Sequence, residues 1–191
     1  MSLTIQKLTP ALAESFFHFF DNVAFTDNPR WSSCYCYFYS QSWAEGEWET
    51  RTAADNRQAC SKWMDAEGLN GFLAFLNGEP VGWCHANDKA NLSLGYLPEE
   101  IAKPDPEHRT ASIACFIVSP EHRRQGIATQ ILHAAFEQLK QDGFTYLEAY
   151  PRHEEDGTIQ EHYHGHPAMY FEAGFETLHE LGDFDVLRKT L

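Results

Sequence analysis

The sequence predicts an α/β (α+β) domain whose mixed sheet is mostly antiparallel and carries one strand-helix-strand unit. Three observations predict it. Residues 113–118 form a β-branched and aromatic run that suits a buried strand. Helical spacing follows at Ile127, Ile131, Leu132, Ala135 and Leu139, and then an alternating run over 144–150, which together make a right-handed crossover between parallel neighbours. Asn77-Gly78 between two apolar runs marks a tight hairpin, and Gly182-Asp183 divides a second pair of strands near the end of the chain.

Residues 3–8 alternate as a first strand. Thr9 as N-cap and Pro10 at N1 then open a helix with an apolar face of Leu12, Phe16, Phe19 and Phe20. Phe17 and Val23 add apolar surface, which reads as core packing or as the lining of a pocket. Aromatics crowd residues 28–48 around Cys34-x-Cys36. A two-cysteine metal half-site needs a partner pair, and Cys60 and Cys84 lack that spacing. The segment is expected to pack on the first helix and to wall an acceptor site.

Residues 52–67 read as a second helix anchored by Cys60, Trp63 and Met64 and stopped by Gly68. Strands over 71–76 and 81–85 flank the Asn-Gly turn, and 87–109 is an excursion expected to cover one side of the site. Ser119-Pro120 ends the next strand, because proline cannot donate to a ladder. Gly143 stops the long helix, 152–160 is a polar loop, and 167–173 is a short helix stopped by Gly174. Strands over 175–180 and 184–188 close a single domain, 1–191, with no linker or repeat inside it.

Composition narrows the function classes. The 43% hydrophobic and 14% aromatic content excludes disorder. A formal net charge of −14 argues against general nucleic-acid or membrane-surface binding. An odd count of five cysteines with scattered spacing does not make a secreted disulfide framework. No leader or spanning segment is visible, so a cytoplasmic, reduced protein is expected.

The turn before the long helix carries the chemistry. The first amides of a helix lack intrahelical partners and sit at the positive end of its dipole. Gly126 lets the backbone approach a ligand, Ala128 keeps the first turn uncrowded, and Arg123 and Arg124 can add charge-assisted bonds. An anion is expected there, although an ordinary turn with solvated arginines has the same composition. The spacing lacks the Lys-Ser/Thr of a P-loop and the full GxGxxG of a dinucleotide turn.

Arg123-x-x-Gly126-x-Ala128 resembles the pyrophosphate loop of the GCN5-related N-acetyltransferases, the GNAT family, which bind acetyl-CoA. Residues 169–175, MYFEAGF, resemble the family's late helix, commonly LYEKLGF. The resemblance implies a GNAT-like sheet of six to seven strands, with helices on both faces and a splayed central strand pair. It also implies acetyl transfer from acetyl-CoA to a primary amine of a small molecule or peptide, by direct attack in a ternary complex and without a metal. By the same resemblance, the backbone of Phe116, Ile117 and Val118 lies beside the pantetheine arm, and Arg123, Arg124, Gln125, Gly126, Ile127, Ala128 and Thr129 surround the diphosphate. The fold often forms homodimers.

Tyr170 falls on the family's general acid. A phenol pKa of about 10 is close to that of an aliphatic thiol, so protonating a leaving thiolate would be near balanced. A packed helix tyrosine is the other reading. Two departures stand out: Tyr163 occupies the place of a frequent asparagine, and Ala128 replaces the commoner glycine. Freeing a lysine-like amine of its proton at pH 7 costs about 4–5 kcal/mol, which a base would lower. Glu148 and His85 are candidates, each also readable as structural: a solvated strand carboxylate and a core histidine. A non-catalytic CoA-binding module and a metal protein built on His162, His164, His166 and the cysteines are the alternatives.

Overall fold

A computed structural model describes residues 2–153 and 162–191. Seven strands form one sheet in the order β1-β2-β3-β4-β5-β7-β6. They are β1 (Leu3–Lys7), β2 (Phe72–Leu76), β3 (Glu79–Asp88), β4 (Thr110–Val118), β5 (Tyr146–Ala149), β6 (Glu176–Leu181) and β7 (Phe184–Thr190). Every pairing is antiparallel except β4 with β5. The helices are α1 (Ala13–His18), α2 (Ala53–Asp65), α3 (Glu99–Ala102), α4 (Ile127–Gln141) and α5 (Pro167–Glu172). The polar loop expected over 152–160 lies mostly outside the described residues.

Helices cover both faces. On one, α1 and its continuation set Phe16 edge-on to Trp83 at 5.0 Å and stack Phe20 on Tyr35 at 5.6 Å. On the other, Ile127, Ile131 and Leu132 of α4 pack with Val81, Ile113 and Phe116. The Asn77-Gly78 turn has positive φ at both residues, 53° and 93°, the type I′ geometry that an Asn-Gly pair allows. Thr52 and Asp55 close a capping box on α2, exchanging Asp55 N–H to Thr52 Oγ1 (3.1 Å) and Thr52 N–H to Asp55 Oδ2 (3.1 Å).

Three local expectations are corrected. The first helix is a composite: a 3-10 turn at Pro10–Leu12, then α1, then a π turn at Phe19–Val23. The wider π turn brings Phe19 and Phe20 inward together with Phe16 and Phe17, so four phenylalanines are buried where one regular stripe would hold fewer. Strand β3 runs on to Asp88, which shortens the excursion that follows it. At the end of α2 the left-handed residue is Glu67, φ 56°, not Gly68. Gly68 is needed for space, since a Cβ there would lie 2.0 Å from Trp63 Nε1.

Strands β4 and β5 pair only over Thr110–Ile113 and Tyr146–Ala149. The rest of β4 stays bound to β3 but parts from β5, with a register shift opposite His85/Ala86. This is the splayed central pair, and it opens toward the start of α4.

Candidate active site

Strand alternation decides what β4 offers to the splay. Ser119 N–H donates to Val81 O (2.9 Å), so residues 115, 117 and 119 turn their backbone groups to β3. Phe116 and Val118 turn theirs to the gap. Ile117 therefore reaches the site through its side chain rather than its backbone. The Phe116 amide is already engaged: it donates to the Tyr163 carbonyl at 2.5 Å.

A cavity of about 510 Å³ lies between this open edge, the start of α4 and the 162–166 segment. Nine of the ten residues expected around the carrier line it: Phe116, Ile117 and Val118, then Arg123, Arg124, Gly126, Ile127, Ala128 and Thr129. Gln125 does not; its side chain points out and donates to Glu121 O at 3.1 Å.

Gly126 is the N-cap of α4 with φ 76°, and no side chain caps the helix. A Cβ added at Gly126 would meet nothing within 4 Å, so that face is open. Gln130 N–H is the first to close a helical turn, onto Gly126 O (3.0 Å), which leaves the preceding amides facing the cavity mouth. Arg124, itself left-handed at φ 59°, is exposed there. Arg123 is tied down: its guanidinium pairs with Asp27 and donates from Nε to Val118 O at 3.1 Å, strapping the turn to the end of β4. Among the described residues no carboxylate lines this cavity, although the chain has 28.

Tyr170 lies one layer behind the wall. It is fully buried and donates to His164 O at 2.5 Å. Burial pushes its phenol well above the usual value of 10. Gly165, which does line the cavity, has φ 89°, and a Cβ there would come 2.6 Å from Tyr170 Oη. Residues 163 and 164 thus hold both the Phe116 amide and the Tyr170 hydroxyl.

Glu148 is not the solvated carboxylate that strand alternation allows for; it is fully buried. Oε2 accepts from Lys89 Nζ (2.8 Å) and Tyr150 Oη (3.1 Å). Oε1 accepts from Arg188 Nη2 (2.6 Å) and Nε (3.1 Å). Those four bonds fill the acceptor capacity of a carboxylate. Lys89 also anchors the excursion after β3, donating to Ile101 O at 2.6 Å. None of residues 89–109 lines this cavity; Tyr96 instead backs the His164 ring at 5.4 Å.

A second cavity of about 270 Å³ shares Phe25, Trp31, Ile117 and Tyr163 with the first. The aromatic segment supplies most of its wall, including Phe38, Tyr39 and Trp48, with Cys34, Cys36 and Cys115 among its other residues. Sequence reasoning singled out this segment but missed Phe25 and Tyr163 as the elements joining the two cavities. Nothing local marks Phe25, and Tyr163 stands out only as the residue at the place of a frequent asparagine, since the contact spans most of the chain.

The three histidines of 162–166 divide. His162 and His166 line the first cavity with rings 5.4 Å apart, while His164 is buried against Tyr163 at 4.2 Å. Pro167 starts α5 and breaks any strand that would align them. All five cysteines are free, and among the described residues no cluster is arranged to hold a metal ion. Among them, too, no helix is long and apolar enough to cross a membrane.

Burial holds His85 and His164 at a pKa of about 3, against an ordinary 6.5. Between those values the unfolded chain binds protons that the folded chain excludes. Stability is therefore complete above about pH 6.5 and drains as pH falls, by up to about 1.4 kcal/mol per pH unit for each histidine. Urea melts between pH 6 and pH 5 are expected to show this slope, and His85→Leu to roughly halve it.

Comparison with known proteins agrees with this geometry. A family model described as the Acetyltransferase (GNAT) family matches residues 31–164. No curated protein matches the chain. Among solved structures, the PaiA N-acetyltransferase of Thermoplasma acidophilum, in complex with coenzyme A, superposes with a TM-score of 0.56 at 15% identity, covering 100% of both chains. The aminoglycoside acetyltransferase AAC(6')-Ib, also in complex with coenzyme A, gives 0.59 at 19%, covering 99% of this chain and 95% of its own. The GNAT domain of S. lividans PAT gives 0.57 at 15%, covering 100% and 92%. At these identities the superpositions speak for the fold, and the family match spans well over half of the chain: the protein belongs to the GNAT family of acetyltransferases.

Proposed function

We propose that the chain transfers an acetyl group from acetyl-CoA to a primary amine of a small molecule or peptide, by direct attack in a ternary complex. The observation that carries this reading is the uncapped start of α4. It opens onto a cavity free of described carboxylates and continuous with an unpaired strand edge. Coenzyme A in the PaiA and aminoglycoside acetyltransferase structures supports the choice of carrier.

Bound acetyl-CoA supplies an activated acyl carbon on a thiol leaving group. The amides of Ile127, Ala128 and Thr129, with Arg124, hold the diphosphate. Phe116 and Val118 offer backbone groups to the amides of the arm. Tyr170, once released by His164, gives its proton to the departing sulfur. Glu148, with its acceptor positions filled, serves as an ion-pair hub rather than as the base.

One observation favours a second reading, a non-catalytic CoA-binding module. Tyr170 and Glu148 are both fully committed to partners within the protein. Calorimetry with coenzyme A tests what the two readings share. Gly126→Val forces a β-branched residue into left-handed backbone and puts atoms where a phosphate would approach. It is expected to weaken binding at least tenfold, about one charge-assisted bond. An unchanged heat would remove the helix start as the binding site. Acetylated amine, detected by mass spectrometry, separates enzyme from module.

A further inference from the structure

The second cavity is the place to ask which amine is taken, a question that rests on the acetyltransfer reading above. Its walls are aromatic: Trp31 stands edge-on to Tyr163 at 5.4 Å, and Trp48 edge-on to Phe38 at 5.1 Å. Beside them in the wall the Cys34 and Cys36 thiols are held protonated, Cys34 chiefly by its hydrogen bond to Cys36 and Cys36 by burial. At about 270 Å³ the cavity falls just under the roughly 300 Å³ where drug-sized pockets begin, which leaves room for one ring system.

Charge is the discriminating feature. In a chain with a net charge of −14, no described carboxylate lines this cavity, and among the described residues its one charged side chain is Arg30. Three arginines line the two cavities; Arg123 is paired with Asp27, whereas Arg30 and Arg124 have no carboxylate partner among the described residues. Arg124 faces the end assigned to the diphosphate, which leaves Arg30 for the acceptor. A polycation would bury ammonium groups here with no described carboxylate to compensate them and with a like charge at the rim. A flat aromatic body would replace water on apolar walls, and an anionic substituent would find a guanidinium.

We infer that the acceptor is a small aromatic amine that also carries a carboxylate, an aromatic amino acid or a close analogue, with its ring among Trp31, Phe38 and Trp48 and its carboxylate on Arg30. The chemistry of transfer is unaltered. The neutral amine nitrogen attacks the acetyl carbon, a C–N bond forms as the C–S bond breaks, and the proton lost by nitrogen is balanced by the one gained by sulfur.

The test is an acceptor panel of tryptophan, tryptamine and spermidine, run on the full chain with acetyl-CoA, with product measured by mass spectrometry. Tryptophan is expected to lead and spermidine to trail. Arg30→Gln is expected to lower kcat/KM for tryptophan relative to tryptamine by about tenfold, the size of one charge-assisted bond. Spermidine as the best acceptor, or a tryptophan-to-tryptamine ratio that Arg30→Gln leaves unmoved, overturns the inference. So does a protein that binds coenzyme A and acetylates another amine but gives product with none of the three. A protein that neither binds coenzyme A nor acetylates any amine instead removes the acetyltransfer reading itself.

Discussion

Tyr170→Phe is expected to lower kcat about a hundredfold, the lower range of what a positioned general acid contributes. The affinity for coenzyme A should stay within about twofold, because the only carrier atom assigned to the hydroxyl is the thiol sulfur, a weak hydrogen-bond partner. The same change removes the bond to His164 O, whose net worth is about 1 kcal/mol, so a small fall in urea midpoint accompanies it. The two effects separate cleanly. A phenol that only packs α5 against the sheet costs stability and leaves turnover intact, and full activity in the phenylalanine variant would end the acid assignment. The buried position does not exclude the role, since bonds in a ligand-free site can rearrange when the site fills. His164 must let go first, and the residue beside it already holds the edge of β4.

Glu148→Gln is expected to destabilise the fold by about 3–5 kcal/mol, the usual cost of removing one partner from a buried ion pair. Lys89 is only 5% exposed, so its charge stays in a low-dielectric site facing an amide. Arg188 is 28% exposed and can recover some hydration, which places most of the loss at Lys89. Adding Lys89→Met removes the orphaned charge and should restore part of the midpoint. Urea melts of the single and double variants measure both. If Glu148 worked instead as a base, the single variant would keep its stability and lose turnover. An unfolding free energy within about 1 kcal/mol of the parent is incompatible with the hub.

What the sequence made legible was local. The Asn77-Gly78 hairpin, the Thr9-Pro10 helix start, the Gly126 turn and the Gly143 stop depend on backbone geometry that only a few residue types favour, so each could be read from two to four letters. The strand-helix-strand crossover followed from two periodicities meeting at one turn. What stayed hidden depended on distant partners. Glu148 and Lys89 are 59 positions apart, and no spacing rule joins them. Phe25 and Tyr163 face the same pair of cavities from opposite ends of the chain. The π turn was illegible for another reason: four phenylalanines at irregular spacing fit no single helical stripe, and burial settled the geometry at the expense of regularity.

The carbonyl of Tyr163 on the Phe116 amide changes what β4 can contribute to affinity. A newcomer lying along that edge exchanges one N–H···O=C bond for another, and water gains nothing from the swap. The edge then dictates alignment and reach while adding little to the equilibrium. Net attraction has to originate at the far end, where the first amides of α4 are unclaimed by any described side chain. A carrier shortened to its pantetheine half would accordingly fit the groove and still have scant reason to stay.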